Sequence, residues 1–446
     1  MRLEPASLRS RHPCQGAPVL ALLLALAACS CARTLPTAPS GLANHSRPGQ
    51  GTSSSDLDNT VREVVVTLAD NVDPAAFGLE YGAQLVDSTD WRGFSYVPGL
   101  GESPDSLASR IRADPRVISA ERNAYVETAE ARQQSLAFDD GLGSAQACAD
   151  QPAMQYLNVS SAWRVSTGQG IRVAILDTGA ELTHPALAGR IVGGWDFVGR
   201  DADPTDEPDG LDNNHNGLVD EAYGHGTHVA GIIARIAPSA SLLIVRVLDA
   251  DGRGSILDVA SGIRWAIDHG ARVINLSLGM TDPSPTIENL LTEAEQRGIV
   301  CVAAAGNWGA DSPVDYPASS QHAMAVAAID SIGRAASFTS YGNFVALSAP
   351  GVAIRSAYIG GRYALWSGTS MSAPFVSGAT ALLLAFHPSW DRRQVLYRLS
   401  VSARALFDPE FEGELGAGGL AVGAALSPDA PIVASHDPVV RRLIPP

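Results

Sequence analysis

Three short segments carry side chains that could cleave an acyl bond together. They are a carboxylate in Asp177-Thr178-Gly179, an imidazole in Gly224-His225-Gly226-Thr227-His228, and a hydroxyl in Gly368-Thr369-Ser370-Met371-Ser372-Ala373-Pro374. A serine hydroxyl becomes a nucleophile when an imidazole takes its proton and a carboxylate fixes the imidazole tautomer. Each segment also has a plain reading when taken alone. Asp177 could cap a turn, Ser370 could be an ordinary helix N-cap, and His225 with His228 could be a metal pair, although the HExxH arrangement is absent. Pro374 is expected in the first turn of a helix, which would put Ser370 at the helix N-terminus, where free N–H groups can stabilise a developing oxyanion. His228, one turn beyond His225, reads as a structural residue.

These side chains need a scaffold, and the pattern around them supplies one. Short apolar strands are expected at 171–176, 242–247, 272–277, 300–305 and 323–328, with helices at 256–269 and 286–297. Strands apolar on both faces and alternating with helices indicate a doubly wound, mostly parallel α/β sheet, with ligands beyond the carboxyl ends of the strands. Asp177 ends the first of them. Upstream, residues 61–128 read as a small α+β domain with strands at 61–68, 94–97 and 117–126 and helices near 74–81 and 104–113. A polar, small-residue linker is expected at 129–150, the main domain at 151–407, and a Gly, Ala and Pro-rich tail at 408–446.

The N-terminal residues 1–28 have Arg2, Arg9 and Arg11 before an apolar run, the pattern of a secretory signal peptide. That run ends Leu26-Ala27-Ala28-Cys29, which resembles the lipobox of bacterial lipoproteins and implies Cys29 as a lipidation site. Residues 29–60 would then be a flexible tether holding the rest off a bacterial membrane. Composition narrows the chemistry further. The formal charge is −16 with no basic block, so nucleic acid is not expected as a partner. All 31 basic residues are Arg, and the absence of Lys excludes a Walker phosphate loop, a Schiff-base mechanism and a Ser-Lys dyad. Cys148 and Cys301 could pair after export, but the apolar surroundings of Cys301 suit a buried free thiol.

Taken together, in the order Asp, His, Ser, the three segments resemble the signatures of the subtilisin-like serine proteases, or subtilases (peptidase S8). Further stretches match as well, among them Asn275-Leu276-Ser277-Leu278-Gly279, Ala303-Ala304-Ala305-Gly306-Asn307 and Tyr316-Pro317-Ala318. The resemblance implies a secreted serine endopeptidase that hydrolyses proteins or peptides through an acyl-enzyme, with Asp177, His225 and Ser370 as the triad. It implies Asn307 as an oxyanion donor and Ser277, Leu278 and Gly279 as the strand that pairs with substrate backbone. It also implies that the small, ferredoxin-like domain is a propeptide, both chaperone and inhibitor, removed by self-cleavage in the linker. Two rivals remain: an inactive subtilase-fold binding module at the cell surface, and an esterase.

Between Asp177 and His225 lies an acidic insert with its own pattern. Asp212, Asn214 and Asn216 alternate before Gly217, and Leu218 can offer its carbonyl, as in the first half of an EF-hand loop. Tyr223 stands where the bidentate Glu would be, so Asp220 or Glu221 is expected to substitute in binding structural calcium.

Overall fold

The structure is a computed structural model and describes residues 61–133, 135–411 and 413–427. The signal-peptide segment, the tether with Cys29 and the end of the chain lie outside that set.

The small domain runs β1 (Val64–Leu68), α1 (Pro74–Glu80), β2 (Gln84–Ser88), β3 (Gly93–Val97), α2 (Pro104–Ile111), β4 (Val117–Arg122). Its antiparallel sheet has the order β2-β3-β1-β4, the ferredoxin-like arrangement expected. Both helices start where an Asp or Ser side chain accepts a backbone N–H and a Pro follows at the first position: Asp73 caps α1 and Ser103 caps α2. Alternation along β1 divides its side chains between two cores. Val64 and Val66 pack with Phe77, Tyr96, Leu107 and Ile111 under the helices, while Val65 joins the core of the larger domain.

The strand expected at 117–126 is in fact two. At the break, Asn123 donates its backbone N–H to the Glu63 carbonyl and its side-chain amide to the Glu63 carboxylate. The chain then leaves the small sheet as β5 (Tyr125–Glu127), followed by the short helix α3 (Ala129–Gln133). β5 pairs with a strand of the large domain instead.

That domain contains β6 (Arg172–Asp177), β7 (Ile191–Asp196), α4 (His225–Ile236), β8 (Ser241–Arg246), β9 (Arg253–Ser255), α5 (Ile256–Asp268), β10 (Val273–Leu276), α6 (Pro285–Gln296) and β11 (Val300–Ala304). It continues with β12 (Ala323–Ile329), β13 (Val345–Pro350), the hairpin β14 (Ile354–Tyr358) and β15 (Arg362–Trp366), and α7 (Thr369–Phe386). Seven strands form one parallel sheet in the order β13-β12-β11-β10-β6-β8-β7. β6 is buried on both faces: Val173 and Ile175 join the core with α4 and α7, and Ala174 and Leu176 join the core with α5 and α6. The chain fills the sheet to one side of β6 and then turns to the other, so the switch lies between β6 and β10. Crevices form beyond the carboxyl ends of strands at such a point. Asp177 ends β6, and Ser277 directly follows β10.

α7 is long and apolar enough to cross a membrane by length and composition, but 89% of it is buried inside the domain. It is the core helix. Residues 413–427, expected as part of a tail, instead continue into the core, where Leu415, Leu420, Val422 and Leu426 are buried and Ser348 bonds the backbone of Gly418 and Leu420. Gly416 and Gly418 both have positive φ, so the glycines that suggest a loose tail in fact shape a close turn against β13.

Candidate active site

β6 delivers Asp177 to the floor of the crevice, where its Oδ1 accepts the Thr178 N–H at 2.8 Å and faces His225 Nδ1 at 2.7 Å. His225 is the first residue of α4, and it can approach because Gly226 follows it. A Cβ there would meet the Gly179 carbonyl at 2.0 Å. Asp206 ties the two segments together, accepting from Thr178 Oγ1 and the Gly224 N–H at 2.8 Å each. Burial pushes Asp206 up to about 7. His228 is buried with Nε2 near the Ile354 and Ala364 carbonyls, at 3.0 and 3.2 Å, and burial lowers its pKa to about 3. It ties α4 to the β14–β15 hairpin, the structural part expected of it.

Ser370 is the second residue of α7. Pro374 is not in the first turn as expected but sixth in the helix, and the displacement has a consequence for the nucleophile. Proline has no N–H to offer the carbonyl four residues back, which is that of Ser370. Ser277 supplies the missing donor: its Oγ donates to the Ser370 carbonyl at 2.9 Å, while its own carbonyl lies 3.3 Å from Ser370 Oγ. Ser277 therefore holds the nucleophile. Leu278 is buried in the core, and Gly279 pairs with an extended chain.

Asn307 follows β11 on a turn through Gly306, whose φ is +105°. Its Oδ1 accepts from the Thr369 N–H at 2.9 Å and Thr369 Oγ1 at 3.0 Å. Those two donors fix the amide orientation and aim Nδ2 into the crevice. What Nδ2 meets there is a residue the sequence does not single out. Glu130 Oε1 accepts from Asn307 Nδ2 at 3.1 Å, and Oε2 accepts from Ser370 Oγ at 2.5 Å and lies 3.3 Å from His225 Nε2. Gly368 leaves room for it, since a Cβ there would sit 1.6 Å from Glu130 Oε1. The Glu130 carboxylate thus stands on the donor and nucleophile that a tetrahedral oxyanion would use. Burial favours neutral imidazole, but the Asp177 carboxylate and then Glu130 outweigh it and push His225 up to about 10. Burial likewise opposes the Glu130 charge, but bonding and attraction from His225, with Ser370 and Asn307, hold its pKa below the usual value.

Glu130 arrives there because β5 lies in the cleft. Tyr125, Val126 and Glu127 oppose Ser255, Gly254 and Arg253 in antiparallel register. Glu127 exchanges both backbone hydrogen bonds with Gly279, at 3.0 and 2.8 Å, and the Thr128 N–H donates to the Gly252 carbonyl at 2.9 Å. The chain then turns into α3, where Thr128 Oγ1 accepts the Ala131 N–H.

The acidic insert wraps as its pattern suggests. Asp212 and Asn214 Oδ1 both accept the Asn216 N–H, Asp212 Oδ2 accepts from Gly217, and Asn216 Oδ1 accepts from Leu218. Asp220 does not join them, because its carboxylate accepts from the N–H groups of Asp209 and Gly210 and closes the base of the loop. Glu221 does, with Oε1 accepting both Asn214 and Asn216 amides. Its Oε2 and Asp251 Oδ1 are buried without a hydrogen-bond partner. Among the described residues no cluster of three or more His, Cys, Asp or Glu side chains forms a metal cage. Cys148 and Cys301 are both buried free thiols, which burial pushes up to about 11 and about 12.

A parallel doubly wound sheet that brings Asp, His and Ser together at its switch point, beside an amide donor, defines a serine hydrolase of the Asp-His-Ser order. The Subtilase family profile matches residues 168–418, and the chain belongs to that family. It is 40% identical over 331 residues to the thermostable alkaline protease of Halalkalibacterium halodurans, covering 72% of this chain and 81% of that one. Thermitase from Thermoactinomyces vulgaris is 44% identical over 239 residues, covering 51% and 80%. Fervidolysin from Fervidobacterium pennivorans, a keratinolytic enzyme related to subtilisin, superposes with a TM-score of 0.66 at 25% identity, covering 83% of this chain and 61% of that one. The chain is a serine endopeptidase.

Proposed function

We propose that the chain is exported as a precursor in which the small domain blocks the cleft, and that the precursor cuts itself between Ala129 and Glu130 to release an endopeptidase for extended protein substrates. The observation that carries this reading is the ladder from β5 to β9 and Gly279. An incoming peptide would run the same way, and three residues after the Glu127 pair Glu130 meets Ser370, which brings the bond before Glu130 to the nucleophile. Ser370 would then attack the Ala129 carbonyl as His225 takes its proton, Asp177 would steady the imidazolium, and Asn307 with the Ser370 N–H would bind the oxyanion. N-terminal sequencing of the mature protein tests the assignment, and a terminus other than Glu130 contradicts it.

The small domain fits the part of inhibitor and template. Its buried Glu121 accepts from Ser284 Oγ and the Thr286 N–H at the start of α6, and Trp91 donates to Ser261. Capping a helix of the other domain gives a folding template something specific to hold.

Glu130 would make the precursor latent. Its carboxylate occupies the oxyanion site, and the adjoining bond is wound into α3, so both must move before attack. Asp177 and then Glu130 raise His225, and His225 in turn lowers Glu130, so the Glu130–His225 pair strengthens the closed form around neutral pH, is lost in acid as Glu130 takes a proton, and is lost as pH rises through about 10. Maturation should therefore quicken as pH rises above neutral. Glu130→Gln should mature roughly tenfold faster at neutral pH and move that rise to lower pH, since a hydrogen bond to a charged group is worth about 1.5–3 kcal/mol. Timed gels of refolding precursor read both effects, and an unchanged rate in Glu130→Gln removes the latch.

The insert fits a structural calcium ion. Oxygens of Asp212, Asn214, Asn216, Glu221 and the Leu218 carbonyl would hold it, and the buried Glu221 Oε2, which finds no hydrogen-bond donor, supports a cation there. Chelation should lower the melting temperature before it alters turnover, because an ion bound only to the folded state stabilises by mass action. A melting temperature unmoved by chelator rejects this ion. For export, the support is the N-terminal apolar run, with Cys29 carrying the anchoring lipid, which labelled palmitate would reveal. Since Cys29 lies on the propeptide side of the cut, maturation would free the enzyme from that anchor.

A further inference from the structure

The peptide that fills the cleft also indicates which side chains the cleft favours. In β5 alternate residues face opposite sides, so Tyr125 and Glu127 share one face and Val126 takes the other. Val126 is fully buried in the large domain's core. On the opposite face one side chain serves both of its neighbours. The Arg253 guanidinium lies 3.4 Å from the centroid of the Tyr125 ring, and its Nε is 3.6 Å from Glu127 Oε1. Arg253 stands directly across from Glu127 in the ladder and is only 6% exposed. Its Nη1 donates to the Asn213 carbonyl at 2.8 Å, so the guanidinium is held in place by the acidic insert rather than by the peptide alone.

A fixed guanidinium of this kind is selective. It pairs with carboxylates, stacks on aromatic faces and repels cations. On a chain of net charge −16 a peptide carboxylate would otherwise meet a repelling surface, which makes one cation on the cleft wall decisive. We propose that Arg253 is a specificity-determining residue, which favours peptides with an acidic side chain at the third residue before the cut bond and an aromatic one at the fifth. This rests on the proposed register, in which Ala129 directly precedes the cut. Because Arg253 is remote from the reacting atoms, its effect should fall on KM and leave kcat nearly unchanged.

The test uses mature wild-type enzyme and fluorogenic peptides ending Tyr-Val-Glu-Thr-Ala before the reporter, with Glu replaced by Gln or Arg and Tyr by Ala. Glu should exceed Gln by about fivefold in kcat/KM, and Arg by about twentyfold or more, with both gaps narrowing in high salt. Tyr should exceed Ala by about threefold. Arg253→Glu should invert the order to favour Arg, and Arg253→Ser should flatten it. Wild-type indifference to Glu, Gln and Arg overturns the proposal, and needs no variant to fold. A Glu preference that peaks at another position overturns the register instead, while failure to cut any of these peptides or casein overturns the endopeptidase itself.

Discussion

Replacing Ser370 by alanine is expected to lower peptide hydrolysis by roughly 10⁶-fold. It should also leave a precursor that still carries the small domain. The magnitude follows from the site: the Glu130 carboxylate that accepts from Ser370 Oγ also meets the Asn307 amide and lies against His225 Nε2, so once Glu130 leaves, the hydroxyl stands beside both, and without it His225 has no proton to take. The fold should survive the change, since the Ser277 bond to the Ser370 carbonyl uses the backbone and not the lost hydroxyl. What activity is left would come from binding and the remaining oxyanion donors acting on water. The variant, made in a protease-free host, separates two claims at once. Normal processing would refute self-cleavage, and normal turnover would refute the nucleophile.

Asn307 should give the next largest effect. Asn307→Leu removes one of two oxyanion donors and is expected to lower kcat by about 10²- to 10³-fold with little change in KM. The same side chain has a second duty, because its Oδ1 accepts from both Thr369 donors at the start of α7. Leucine leaves a buried N–H unpaired, which costs about 1–3 kcal/mol of stability. Asn307→Asp keeps that acceptor and loses only the donor, so its melting temperature should stay nearer the parent's. Its kcat should nevertheless fall at least as far, since a carboxylate repels the developing charge. Parallel thermal melts and steady-state kinetics therefore divide support of the helix from support of the transition state. A kcat near the parent's in folded Asn307→Leu would contradict the oxyanion role.

The parallel sheet, the placement of Asp177 at the carboxyl end of a strand and the three segments that carry Asp177, His225 and Ser370 are legible in the sequence, because each rests on a short local pattern. Other features are hidden for physical reasons that can be named. β7 carries Gly193 and Gly194, which suggest a turn, yet a Cβ at Gly194 would meet the Ile244 carbonyl at 2.4 Å, so glycine there permits the pairing with β8. β2 is half exposed, with Gln84 and Ser88 on its open side, and lacks the apolar run that marks a strand. Ser277 is legible as part of a matching segment, but its service to Ser370 follows from the missing N–H of Pro374, a contact across 93 residues of chain. Glu130 is further from reach. Nothing in the residues around it distinguishes it from a solvated linker glutamate, and its partners Asn307 and Ser370 are 177 and 240 residues away.

The central claim is that Ser370 is an activated nucleophile in a cleft that Glu130 closes until the chain is cut. A fluorophosphonate probe reads it most directly, since it labels only a serine whose proton can be taken and whose oxyanion can be held. Peptide mapping of the mature protein should find the label on Ser370 alone, with loss of caseinolysis in proportion to labelling, while the uncut precursor stays unlabelled at neutral pH. Label on another residue, or full activity in completely labelled protein, would contradict the account.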